Sequence, residues 1–312
     1  MKTRFALWII FTFIWTCCTT NTNQSSGTVK LQDTVISLKD SFPNNIDYLK
    51  IFDSYNIRYD FDWHGISKLS TNYPDLDYHK ISKLLEKESY LFDVNPNAGY
   101  FANHLRILDI NADGEKDIIY SGPTGGEAQE VILALRSGKS YKKILTIEQG
   151  IVKVDWENNR VSKIYSHDWG CCASINLINS VYSFKYDTND YPDIKKIFQS
   201  IEYEFMLKPL EYFEKPIVFK TNINGSALRY SPVVDDTSYF FDDRIGNKIG
   251  LVNNGAFGKA YGLQKDKLGN SWWYVIINPN QITNQKILYM KDLDYPTHVI
   301  GWLKSNDLIK IK

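Results

Sequence analysis

The chain is poor in the residues from which most catalytic and metal centres are built. Its 312 residues include 4 cysteines, 5 histidines and 3 methionines. It has no C-x-x-C pair, no H-E-x-x-H stretch and no nucleophile elbow, so the signatures of zinc sites and of serine hydrolases are missing. The glycine-rich run Gly122-Pro123-Thr124-Gly125-Gly126 has no Lys-Ser/Thr and no helix after it, which removes a phosphate-binding P-loop. Net charge is absent too: 36 Lys and Arg balance 36 Asp and Glu, and no basic run occurs. Nucleic acid is therefore not an expected partner. The apolar run Phe5 to Trp15 is too short for a membrane-spanning helix. His64 and His79 lie near Asp62, Asp75 and Asp77 but lack metal-ligand spacing, and they read as surface histidines.

Aromatic residues are abundant. The chain is 43% hydrophobic and 14% aromatic, with 21 Tyr and 16 Phe, a composition that favours strands. Its length suits two domains.

One stretch organises the rest: Asp109-Ile110-Asn111-Ala112-Asp113-Gly114-Glu115-Lys116-Asp117. Oxygen-bearing side chains recur at Asp109, Asn111 and Asp113, a glycine follows where the backbone must turn, and Asp117 closes the loop. Glu115 adds a further carboxylate. Ca²⁺ takes six to eight oxygens, and a tight loop with this spacing can supply them. Apolar residues on both sides give a strand-loop-strand reading. An EF-hand is excluded, because Tyr120 stands where the twelfth loop position needs Glu. The alternative is an Asp/Asn/Gly-rich turn without metal. The stretch resembles the calcium loop of FG-GAP/VCBS-type β repeats, which implies Ca²⁺ held by Asp109, Asn111, Asp113, Glu115 and Asp117. The loop occurs once, so a propeller is not expected.

The N-terminus carries Lys2 and Arg4, then the apolar run, then Cys17 and Cys18, then a polar, uncharged segment. This resembles a bacterial lipoprotein signal peptide over residues 1–16, with Cys17 lipidated and 17–40 a flexible tether. Asn21 to Thr28 has no acidic residue. The resemblance then implies an outer-membrane protein on the periplasmic face rather than at the cell surface. An uncleaved anchor helix is the other reading.

Residues 41–208 read as an α+β domain rich in antiparallel β structure and containing the loop. Ser41-Phe42-Pro43 suits a helix start, and Lys80 to Tyr90 has helical apolar spacing. Strands are expected at Val131 to Leu135, Tyr141 to Ile147, Ile151 to Trp156, Arg160 to Tyr165 and Ile175 to Tyr186. Within this region lies His167-Asp168-Trp169-Gly170-Cys171-Cys172-Ala173. In an exported chain Cys171 and Cys172 are disulfide candidates. Buried thiols, a redox or binding role, and a thiol nucleophile paired with His167 are the alternatives.

Pro209 to Glu214 reads as a boundary, and residues 215–312 as short strands separated by turns, which suits a compact barrel. Leu228-Arg229-Tyr230-Ser231-Pro232, Ile249-Gly250, Gly269-Asn270-Ser271-Trp272-Trp273-Tyr274-Val275 and Gly301-Trp302-Leu303 with Asp307-Leu308 stand in order. Together they resemble a bacterial SH3 (SH3b) domain. The resemblance implies an all-β SH3-like barrel with Trp272 and Tyr230 on the ligand face and Trp273 in the packing. An insertion, Val233 to Asn247, departs from the family. It sets Asp235, Asp236, Asp242 and Asp243 around Tyr239-Phe240-Phe241. Acids beside exposed rings suit a cationic or proline-containing peptide. The alternative is that the rings tuck inward and the acids face water.

These readings combine into a lipid-anchored envelope protein, not an enzyme. Its barrel is expected to dock a peptide, an envelope protein or cell-wall material such as peptidoglycan. An accessory subunit of an outer-membrane machine and a thiol or cell-wall hydrolase are the alternatives.

Overall fold

The computed structural model describes residues 46–54, 84, 104–123, 129–168, 176–240, 244–284 and 297–311. Helix α1 (Ile46–Ser54) lies where a helix was expected to have begun. Its Leu49 and Phe52 are buried, while Asp47 and Lys50 face outward. The expected helix over Lys80 to Tyr90 falls outside the described residues, except for Leu84.

Strands dominate. The loop stretch lies between β1 (Leu105–Leu108) and β2 (Asp117–Pro123), which pair antiparallel. With β3 (Gln129–Ser137) and β4 (Ser140–Ile147) they form a four-stranded sheet in the order β1-β2-β3-β4. Both faces of this sheet are covered. Ile119, Val131, Leu133 and Leu135 pack toward the rest of the protein, and Ile118, Tyr120, Ile132 and Ala134 pack on the opposite side with Leu84. This explains why Ile118-Ile119-Tyr120 is a continuous apolar run rather than an alternating one.

The second sheet is large and mixed. It begins with β5 (Gly150–Glu157), β6 (Arg160–His167), β7 (Asn176–Tyr186) and β8 (Pro192–Tyr203). It continues with β9 (Glu211–Thr221), β10 (Ser226–Arg229), β13 (Lys248–Val252), β14 (Phe257–Lys265), β15 (Ser271–Ile277), β16 (Ile282–Thr283), β17 (His298–Lys304) and β18 (Leu308–Lys310). The main path runs β18-β9-β14-β15-β17-β8-β7-β6-β5, and β10 joins β17 to β13. Strands β11 (Tyr239–Phe240) and β12 (Arg244–Ile245) make a small separate hairpin.

The expected freestanding barrel is corrected here. Among the described residues no strand path closes into a ring. Strand β9 runs through the expected boundary, and β17 pairs in parallel with β8, His298 opposite Ser200 and Val299 opposite Ile201. One hydrophobic core joins Leu49 and Phe52 of α1, Tyr165, Phe198 and Ile201 of the first half, and Trp272, Tyr274 and Trp302 of the second. The physical reason is edge pairing. A strand edge left by an open barrel exposes unpaired amides and carbonyls, and here β8 and β17 satisfy each other.

Several motif residues of the C-terminal half do meet. Arg229 lies opposite Trp302. A Cβ on Gly301 would stand 2.7 Å from Leu228 Cδ1 and 3.0 Å from the Arg229 carbonyl oxygen, so only glycine allows this close approach.

Candidate functional site

The Asp/Asn loop folds on itself through its carboxylates. Ala112 and Gly114 take positive φ, 60° and 87°, which wraps the chain around Asp109. The Asp113 and Gly114 amides donate to the two Asp109 carboxylate oxygens at 3.1 and 2.9 Å. The Glu115 amide donates to Asp113 Oδ1 at 2.8 Å. Asp117 is fully buried. Its two oxygens accept from the Ile110 amide and from the Arg136 amide of β3, both at 2.8 Å. Burial pushes the Asp117 carboxyl up to about 6, against those two amide donors, and the neighbouring Asp113 and Asp109 charges push the same way.

Asn111 is the residue that points beyond a self-contained turn. It is 3% exposed. Its Nδ2 donates to Asp113 Oδ2 at 2.9 Å and to the Asp190 carbonyl at 3.0 Å, while its Oδ1 is buried with no hydrogen-bond partner. A buried acceptor without a donor is costly, and a cation would satisfy it. Asn111 Oδ1 is thus the loop oxygen that asks for a divalent ion; Asp109 and Asp113 stand on the same loop, already accepting from the Asp113, Gly114 and Glu115 amides. Glu115 and Asp117 fit less well: Glu115 pairs with Arg136 at 3.2 Å, and Asp117 is engaged by two amides. Among the described residues no group of three or more His, Cys, Asp and Glu is gathered so as to hold a metal ion. In this arrangement Asp109 and Asp113 serve the loop's own backbone, and Glu115 and Asp117 tie it to Arg136 of β3.

The loop also joins the sheets. The Val161 amide of β6 donates to the Ile110 carbonyl at 3.0 Å, and the Tyr186 hydroxyl of β7 reaches the Ile110 and Val161 carbonyls at 3.2 and 2.9 Å.

A second polar centre, absent from the sequence reading, lies under α1. Asp53, at the end of that helix, and Glu202 of β8 both have side chains only 5% exposed. Lys208 reaches both, with its Nζ 2.9 Å from Asp53 Oδ1. The Tyr212 hydroxyl donates to Asp53 Oδ2, and the Tyr274 hydroxyl to Oδ1 at 3.2 Å. A signal existed: Asp53 sits four residues after Leu49, on the apolar side of the helix, and Glu202 interrupts an apolar strand end. Close by, His167 is buried with Nδ1 2.5 Å from Asn179 Oδ1, and burial lowers its pKa. Cys171 and Cys172, its expected neighbours, lie outside the described residues, as does Cys17.

The residues assigned to a ligand face divide. Trp272 is a correction: it is fully buried, not on a ligand face. Its Nε1 donates to Asp266 Oδ2 at 3.1 Å, and Lys304 lies over its ring. Tyr274, two residues on and so on the same face of β15, reaches Asp53 of α1, which makes that face interior. The partner ring, Trp273, is the partly exposed one and meets Phe213 and Phe219 edge-on. Tyr230 is also buried, stacked on Tyr203 with centroids 5.8 Å apart.

Asp235 and Asp236 turn inward in function if not in exposure. Asp236 pairs with Arg229 at 2.9 Å and with Lys248 at 3.5 Å. Asp235 Oδ1 accepts from the Thr237 and Ser238 amides at 3.1 and 2.9 Å. Arg229, itself buried, also donates to the Asp235 carbonyl and to Asn247 Oδ1. The acids therefore fasten the insertion to the sheet rather than lying free to steer a ligand. Tyr239 remains: it is 71% exposed, with Val233, Val234 and Ile245 also exposed on the insertion. Phe240 shares strand β11 with it. Phe205, Leu207 and Leu210 are also exposed, and the Leu207 amide donates to the Tyr230 carbonyl at 2.9 Å.

No family model, curated protein or solved structure matches the chain.

Proposed function

We propose that the protein is a lipid-anchored envelope adaptor that holds a protein or peptide partner on the insertion side of its C-terminal half. The observation that carries this reading is the set of exposed large apolar side chains on the insertion, Val233, Val234, Tyr239 and Ile245, together with Phe205, Leu207 and Leu210 on the segment whose Leu207 amide donates to the Tyr230 carbonyl. Large apolar side chains held out on a fixed scaffold are the usual mark of a contact surface. The resemblance of the motif residues to bacterial SH3 domains supports the reading; of these, Arg229 pairs with Trp302, and Gly301 lies against Leu228. The anchor rests on Cys17 and the run before it. An accessory role within an outer-membrane machine is the same reading with a permanent partner.

Calcium is the proposed cofactor of the loop. Asp109, Asn111 and Asp113 would hold it, and its role there would be to stabilise. The loop's ties to β3, β6 and β7 make its order matter to both sheets. Asp113→Ala is expected to lower the thermal midpoint in calcium and to change it little in chelator. Equal losses in the two buffers would show that the loop binds no metal.

The adaptor reading is tested by solubilising membranes in mild detergent and comparing what co-purifies with the native chain and with Tyr239→Ala. The expected result is one or a few stoichiometric partners, reduced in the variant. Cys17→Ala should abolish fatty-acid labelling and release the protein from membranes. Continued labelling would refute lipidation at that residue.

A further inference from the structure

Helix α1 is fastened by charges rather than by apolar packing alone. Its Asp53 and the Glu202 carboxylate of β8 face one ammonium, that of Lys208, under the helix. The other donors on Asp53 are the hydroxyls of Tyr212 and Tyr274. Lys50 lies over the Tyr212 ring at 5.5 Å. Among the described residues, His167, which Glu202 and Asp168 both influence, also lies near the cluster. Among the described residues, two carboxylates face one ammonium, which leaves one negative charge uncompensated in a buried place and is strongly disfavoured.

We propose that Asp53, buried under helix α1 with Glu202 and sharing the Lys208 ammonium with it, keeps a proton in the folded protein, and that the protonated carboxyl fastens helix α1 to the sheet. The cluster is then a pH-sensitive latch. Burial pushes the Asp53 carboxyl upward; Lys208 opposes that, and the Glu202 charge reinforces it. Burial alone would lower Lys208, but Glu202 and Asp53 outweigh it and hold the ammonium above its usual value. Burial also raises both phenols, so Tyr212 and Tyr274 stay donors. With Lys208 charged and the phenols neutral, the proton resides on Asp53.

The position of the latch gives it a consequence. In sequence α1 follows the N-terminal segment, and Lys208 stands between Leu207 and Leu210 of the exposed apolar group. The ammonium that grips the helix also pins the backbone that carries those side chains. Releasing the proton would loosen the helix and that segment together. The inference does not depend on the adaptor reading, since no partner enters its test.

A carboxyl whose folded pKa is raised contributes stability that is fully present below the unfolded value and is lost as pH rises through the folded one. Thermal midpoints of the native chain, Asp53→Asn and Glu202→Gln would be measured from about pH 5 to about pH 8. An asparagine at position 53 has no proton to lose. The native midpoint should therefore fall relative to that of Asp53→Asn as pH rises, by about 2–4 °C. Asp117 and the other carboxylates are common to both proteins and cancel in the difference. Glu202→Gln gives the same comparison if Asp53→Asn does not fold. A constant difference, or a native protein that gains on the variant with rising pH, would overturn the proposal: the cluster would then be a fully ionised salt bridge.

Discussion

Lys208→Met is expected to lower the free energy of unfolding by about 3 kcal/mol at neutral pH. Removing one partner of a buried ion pair leaves the other charge without compensation, an effect of roughly 3–5 kcal/mol. Here Lys208 is the ammonium that both Asp53 and Glu202 contact, each with a side chain 5% exposed. Lys208 keeps 29% of its side-chain surface, so water screens part of the charge, which sets the lower end of the range. Urea unfolding followed by far-ultraviolet circular dichroism would measure it. The loss should shrink as pH is lowered, because protonated carboxyls no longer need the ammonium. A loss below about 0.5 kcal/mol, the scale of an ordinary surface substitution, would mean that the cluster does not hold helix α1.

Trp272→Ala is expected to destabilise by about 3–5 kcal/mol, the cost of emptying a large aromatic site in a packed core. Tyr239→Ala should change stability by less than about 0.5 kcal/mol. The contrast follows from exposure, nil for Trp272 and 71% for Tyr239. The Trp272 indole also gives up its hydrogen bond to Asp266 and its contact with Lys304. A binding defect in Trp272→Ala would therefore report unfolding and not a lost contact. The pair of variants separates scaffold from surface: if Trp272→Ala were as stable as the native chain, the buried face assigned to it here would be wrong.

The strands β3 to β7 were legible because hydrophobic runs there are bounded by turn residues such as Ser137-Gly138-Lys139 and Glu157-Asn158-Asn159. Asn158 and Asn159 indeed take positive φ. Strand β8 was not legible as a separate strand. It carries Asp193, Lys195 and Lys196 at one end and a run buried on both faces from Phe198 to Tyr203 at the other, so no single period of two spans it. Its parallel pairing with β17 joins residues about a hundred positions apart, and no local pattern encodes that. The Trp272-Trp273 alternation was read as two opposite faces; Trp273 packs against Phe213 and Phe219 as expected, but Trp272 is buried and not on a ligand face. An isolated barrel would leave one face to a ligand, whereas here α1 and the shared core take it. The loop at Asp109 was legible as a turn built around carboxylates. Its role in joining β1, β3, β6 and β7 was not, because Asp117 and Ile110 reach partners far away in sequence. The Asp53–Lys208–Glu202 cluster escaped for the same reason, since Asp53 on α1 lies far in sequence from Glu202 at the end of β8 and Lys208 in the segment after it.

The central claim is that the insertion side of the C-terminal half is where this protein holds its partner. A photoreactive amino acid placed at position 239 in the native membrane tests it, with position 268, which is also exposed on a turn of this half, as the comparison. The account predicts a discrete crosslinked adduct from position 239 and none from position 268. No adduct from 239, or the same adducts from both, would contradict it.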